Sequence, residues 1–209
     1  MKINRNLFCI SLGLHYLCTM YKLKRMIVWM RRMRHSRGFG VQSPYDYRFI
    51  RYVINEHWPY YAYDELKESV TDIDTKTRKL CRLYFRLANW RQPRYIVDYR
   101  PETDAYMKYM QAGCKRASAD RFEGGEERTL ELGRMSLTGD YEAFYEQLTH
   151  RVDAHSVLVM ERIKRDKETK AFWERVKRDE RTGVTFDLYY CGIVFFNKKR
   201  FKQNYDVNF

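Results

Sequence analysis

The chain has only four prolines and ten glycines in 209 residues. So few breakers exclude a collagen-like or low-complexity polypeptide. No C-x-x-C occurs; the five cysteines (Cys9, Cys18, Cys81, Cys114, Cys191) are odd in number and widely spaced. This excludes a disulfide framework and a cysteine zinc site, and fits free thiols in a reducing, cytoplasmic compartment. There is no G-x-S-x-G, no Walker phosphate loop and no H-E-x-x-H, so the commonest hydrolase, nucleotidase and zinc-protease signatures are missing. Long hydrophobic runs are lacking too. The most apolar stretch, Asn6 to Tyr21, is interrupted by His15 and followed by Lys22, Lys24 and Arg25. It is too short and too polar to span a bilayer, and no A-x-A site follows it. It reads as a peripheral amphipathic segment, or as a leader preceding a start at Met20 or Met26.

Acidic residues are nearly absent from the front of the chain. Between Met1 and Arg51 there are eleven Lys/Arg and one acid, Asp46, so this stretch holds most of the formal net charge of +13. The remainder is close to neutral. Such a basic arm suits an anionic partner, either a nucleic-acid backbone or a membrane surface, or else serves only solubility.

Hydrophobic residues make up 44% of the chain and aromatic residues 16%, enough for a sizeable core. Ser43-Pro44-Tyr45-Asp46 marks a helix start: Ser43 can cap, Pro44 suits the first position, and Asp46 faces the positive end of the dipole. Apolar residues at helical spacing predict a helix from Pro44 to His57, another after Asp64, and a third from Asp74 to Trp90 with Leu80, Leu83, Tyr84, Leu87 and Ala88 inward. From Arg94 the pattern changes. Strands are expected at Tyr95–Asp98, Cys114–Asp120, Thr129–Met135 and Ser156–Met160, with helices at Pro101–Gln111, Asp140–His150 and Lys167–Arg181 between or after them. Phe122 to Arg128 reads as a loop. Thr185–Tyr190 and Ile193–Phe196 are too close in sequence to be parallel, so they form an antiparallel hairpin. The expected class is α/β, Rossmann-like: a mostly parallel sheet ending in an antiparallel hairpin, with N-terminal helices. The chain divides into a basic arm (1–36), a helical lobe (37–92) and an α/β domain (93–209).

In an open α/β sheet, ligands bind beyond the carboxyl ends of the strands. Asp98 ends the first strand, where it could hold a ligand's amino group or merely terminate the strand. The loop that follows, Tyr99-Arg100-Pro101-Glu102-Thr103, has no glycine, although close backbone approach to a nucleoside cofactor usually needs one. Asp120 ends the next strand, where an acid often meets a ribose. His150 and His155 lack a third and fourth partner, so no metal is expected. Arg37-Gly38-Phe39-Gly40-Val41 matches part of an RNA-recognition strand pattern, but Gln42-Ser43-Pro44 breaks it. Lys198-Lys199-Arg200-Phe201-Lys202, beside Phe196 and Tyr205, reads either as a single-strand-binding patch or as a solvated edge next to the last strand.

Two ends of the chain resemble one family. Gly38-Phe39-Gly40-Val41-Gln42-Ser43-Pro44-Tyr45 resembles the G-x-H-S-P-F opening of small class I methyltransferase-like proteins common in the Bacteroidetes. Val184 to Phe196 (VTFDLYYCGIVFF) resembles their closing V-T-x-x-x-D-L-F-x-x-G-I-V-F-F hairpin. Ser156–Met160 and the helix bearing Trp173 resemble a segment between them. The resemblance implies a Rossmann-like sheet and S-adenosylmethionine as cofactor, with Asp98, Tyr99 and Asp120 as its contacts. Asp98-Tyr99-Arg100-Pro101-Glu102-Thr103-Asp104 stands where the family has E-L-G-T-S-x-G, so both glycines are lost. Met160-Glu161-Arg162-Ile163-Lys164 stands for D-D-I-H, leaving one acid, with Lys164 in place of histidine. The expectation is a methyltransferase-like protein with an eroded S-adenosylmethionine site, acting as a binding or regulatory module. The alternatives are an active S-adenosylmethionine-dependent methyltransferase and a nucleic-acid-binding module using the basic arm.

Overall fold

A computed structural model describes Leu23, residues 26–33, Gly38, and residues 40–121 and 128–209, excluding the side chains of residues 119–121. Most of the basic arm, Cys9, Cys18, residues 122–127 of the expected loop, and Arg37 and Phe39 of the glycine-rich motif therefore lie outside the described residues.

The first helix, α1 (Pro44–Phe49), starts as its sequence dictates, with Ser43 Oγ accepting from the Asp46 amide at 3.3 Å. It continues as a wider π turn over Ile50–Ile54. Arg86 accounts for the stop: it donates to the Val53 carbonyl at 2.6 Å and the Ile54 carbonyl at 3.0 Å, meeting the exposed acceptors of a helix end. α2 (Ala62–Ser69) follows. α3 (Thr75–Arg91) is capped by Asp74, which accepts from Thr77 N at 2.7 Å. It ends at Gln92 in the left-handed region, just before Pro93.

The rest alternates: β1 (Tyr95–Tyr99), α4 (Ala105–Gly113), β2 (Ser118–Arg121), β3 (Leu130–Ser136), α5 (Tyr141–Thr149), β4 (Val152–Glu161), α6 (Lys167–Arg178), β5 (Val184–Asp187), β6 (Cys191–Phe195) and β7 (Gln203–Asp206). The strands form one seven-stranded sheet in the order β2-β1-β3-β4-β6-β5-β7. β6 runs antiparallel to its neighbours β4 and β5, and every other pairing is parallel. The α/β class, the mostly parallel Rossmann-like sheet and the antiparallel hairpin are as expected.

Side-chain alternation splits the core into two layers. Ile96, Leu132, Val157, Val159, Ile193 and Phe195 face α1, α3 and α4. Val97, Leu158, Met160 and Val194 face α5 and α6. Both faces are covered, so Val157–Met160 of β4 and Ile193–Phe195 of β6 read as unbroken apolar runs rather than alternating ones. Residues 49–88 and 96–207 contribute to the same first layer.

Two details depart from expectation. The helix expected from Pro101 begins only at Ala105, because Arg100 takes φ 49° and turns the chain away after β1. The polar segment Gln203–Asp206 forms an extra edge strand on β5. The basic run before it works as a clasp. Arg200 pairs with buried Asp46 and lies 4.4 Å over the Tyr45 ring, fastening β7's leading loop to the cap of α1. Lys202 donates to Thr182 Oγ1 at 2.9 Å.

Candidate functional site

The chain leaves β1 for its outer neighbour β2 through α4 on one face. It leaves β3 for β4 through α5 on the other. The direction of winding therefore reverses between β1 and β3, where an open α/β sheet has its ligand crevice.

That crevice is filled by the chain itself. Asp98, Arg134 and Glu161 come from β1, β3 and β4. Alternation puts them on the same face as Ile96, Leu132 and Val159, beneath α3 and α4. Asp98 and Arg134 are direct neighbours in register. Arg134 is completely buried; NH1 lies 2.7 Å from Asp98 Oδ1 and Nε lies 2.7 Å from Glu161 Oε1. The Tyr84 hydroxyl of α3 donates to the same Glu161 oxygen. The Tyr106 ring of α4 lies 4.4 Å from the guanidinium and covers it.

An arginine is suited to this place because it keeps its charge when buried, and its planar fork can serve two carboxylates. Burial opposes its charge, but Glu161, Tyr84 and Asp98 more than offset this, so its pKa rises rather than falls. Tyr84 is held neutral, with its pKa pushed well up by burial and then by the Glu161 charge. Among the described residues, two atoms here find no hydrogen-bond partner, Arg134 NH2 and Ser136 Oγ, both fully enclosed.

The loops above the crevice hold it shut. Tyr99 stacks on Phe144 with ring centres 3.8 Å apart and planes 10° from parallel. Arg100 lies against Gly139 (φ 63°), so closely that a Cβ at Gly139 would collide with its guanidinium. Glu102, from the loop after β1, pairs with Arg162, from the loop after β4. Of the three residues proposed from sequence, Asp98 lies at the centre of the crevice and Tyr99 at its rim, turned onto Phe144. Asp120 lies on β2 opposite Val97, and its side chain is outside the described residues.

A second region lies farther along the same carboxyl edge. Asp187, at the end of β5, is buried and collects Lys164 Nζ at 2.7 Å, Arg32 NH2 at 2.8 Å, Trp173 Nε1 at 3.2 Å and the Tyr189 amide at 2.9 Å. Burial pushes its carboxyl up, but Lys164 and Arg32 outweigh that and hold it below the ordinary carboxylate range. Arg32 belongs to the short helix formed by residues 26–32, so this part of the basic arm is bound into the fold. The Trp173 ring lies against Gly192, where any side chain would collide with it.

Beside this hub is a cleft of about 1170 Å³. It is walled by the 26–33 helix, the Asn55–Tyr63 segment, the first half of α3, the 188–190 turn and Phe209. Five cations (Arg32, Arg78, Lys79, Arg82, Arg86) line it against two carboxylates, Glu56 and Asp64. Trp29, Trp58 and Tyr61 are exposed at its walls, Tyr61 almost completely. Tyr60 donates to Glu56 at 2.7 Å; burial and this hydrogen bond push its pKa up to about 12. The sequence reading missed this cleft, because it took α3 by its apolar stripe. The signal was present on the opposite face, as the basic residues 78, 79, 82 and 86 beside the aromatic run from Trp58 to Tyr63.

Among the described residues no group of three or more His, Cys, Asp or Glu is placed to hold a metal ion, and His150 and His155 are both exposed. Among the same residues no helix is long and apolar enough to cross a membrane. Compared with protein-family models and with curated proteins, the sequence matches none.

Proposed function

We propose that this chain is a methyltransferase-like binding protein rather than an active methyltransferase. In this reading the Rossmann-like sheet is kept, and the crevice that would take S-adenosylmethionine is occupied by the chain's own side chains. The observation that carries it is Arg134, buried at the reversal point between Asp98 and Glu161. The residues present do not fit the cofactor. The acid that would receive its amino group already has a guanidinium 2.7 Å away. The loop after β1 offers Arg100 and Pro101 where backbone should approach a ligand. The Glu102–Arg162 pair closes the rim. No step of methyl transfer is therefore assigned to any residue here.

Thermal melting with S-adenosylmethionine or S-adenosylhomocysteine tests the proposal. A ligand bound with micromolar Kd and supplied at millimolar concentration stabilises a fold by about 4 kcal/mol, several degrees in Tm. The expected shift is none. A shift of several degrees with either compound overturns the reading.

A further inference from the structure

We infer that the cleft at the β5 end of the sheet binds nucleotides, as single units or as part of a single-stranded nucleic acid. This goes beyond the filled crevice and does not depend on it. Two kinds of group converge on the cleft. The first is planar and exposed: Trp29, Trp58 and Tyr61. The second is cationic: Arg78, Lys79 and Arg82 share one face of α3, at spacings of one, three and four residues. Among the described residues Arg78 and Arg82 form no ion pair, unlike Arg32, which is held by Asp187.

The cations also lie on rings. Arg82 is 5.1 Å from the centre of Tyr63, and Lys79 is 4.3 Å from the centre of Phe209. Rings that stack on bases, interleaved with cations that follow phosphates, are the two ingredients of sequence-tolerant single-strand recognition. Among the described residues Asn55 Nδ2 and Arg78 NH1, from side chains lining the cleft, are buried donors without a hydrogen-bond partner, while Arg78 NH2 donates to the Val70 carbonyl at 3.3 Å.

Chemistry and shape favour this ligand over other anions. An acidic peptide would use the cations but leave the tryptophans without planar partners. A lipid surface is flat and would not follow the walls of a cleft. The volume, about 1170 Å³, exceeds the roughly 300–1,000 Å³ of ordinary small-molecule sites, which suits more than one nucleotide. Duplex DNA would not enter, since its bases are already stacked.

Fluorescence anisotropy of a labelled oligothymidylate of about ten nucleotides, a length such a groove can span, provides the test on the full-length chain. Binding is expected to weaken with salt, with a log–log slope of about −2 if three cations contact phosphates of a single strand. Trp58→Ala and Arg82→Glu are each expected to weaken it about tenfold or more, because both groups are solvent-exposed and meet the ligand directly. Circular dichroism and Tm of both variants should match the parent. Competition by thymidine monophosphate, with inorganic phosphate inert, would identify the free nucleotide as a ligand. Failure of the monophosphate to compete while the oligomer still binds through the cleft would identify the polymer. No binding by the parent overturns the inference. So does binding that both variants leave unchanged, since that would assign it to the basic arm.

Discussion

The crevice between β1 and β3 and the cleft beyond β5 lie along one carboxyl edge, yet they use charge in opposite ways. In the crevice one cation and two carboxylates face each other, buried, with Tyr84 and Tyr106 closing the shell. In the cleft, cations outnumber carboxylates and exposed rings accompany them. Charge turned inward fixes strand ends relative to one another; charge turned outward invites a ligand. The position where the fold traditionally puts chemistry is therefore the one least open to it here. The more open site is walled by elements outside the central parallel strands.

The largest expected effect comes from the closed region. Arg134→Ala leaves Asp98 and Glu161 buried without their cation and is expected to cost about 3–5 kcal/mol, read by urea denaturation. If the network is only a filler, replacing all three with apolar residues (Asp98→Leu, Arg134→Met, Glu161→Leu) recovers most of that loss, because the desolvation of three charges disappears with them. A triple variant as unstable as Arg134→Ala would mean that the network specifies the strand arrangement.

Next in size is the hub joining the two regions. Asp187→Asn removes the charge facing Lys164 and Arg32 and is expected to cost about 1–3 kcal/mol at neutral pH. The Asp187 carboxyl is held below its ordinary pKa. Its contribution is thus complete above about pH 4, the unfolded value, and fades as pH falls through the lower folded value. The parent should lose stability more steeply than the variant in that acid range, as measured by Tm against pH.

The rim latch is smaller. Both side chains of the Glu102–Arg162 pair are more than a third exposed, so Glu102→Gln should change stability by no more than about 1 kcal/mol. The smallest stability change belongs to the cleft. Arg82→Glu is expected to stay within about 0.5 kcal/mol of the parent while impairing nucleotide binding. Calorimetric melting beside anisotropy separates the two readouts.

Much of this fold is legible in the sequence. Ser156–Met160 announces a strand buried on both faces, Ser43-Pro44 announces a helix start, and the spacing of the 184–196 segment permits only a hairpin. β7 is not legible, since Gln203-Asn204-Tyr205-Asp206 is polar and gains order from pairing with β5 and from the Arg200 clasp. Asp98 was readable as the end of β1, but its partner was not. In Leu132-Gly133-Arg134-Met135 an arginine looks solvent-facing. It is buried only because acids from β1 and β4, 36 and 27 residues away, arrive beside it. Glu161 and Lys164, which stand where the resembled family has an acid and a histidine, pair with Arg134 and Asp187. Periodicity reports which face a residue takes; it does not report which charges will meet there.

The most direct test of the contrast is one calorimetric titration of the full-length chain, first with S-adenosylhomocysteine to millimolar concentration and then with oligothymidylate. The expected result is no binding heat from the first ligand and a saturable, salt-sensitive heat from the second. Saturable heat with S-adenosylhomocysteine would contradict the closed crevice, and silence with both would leave the cleft without the ligand assigned to it.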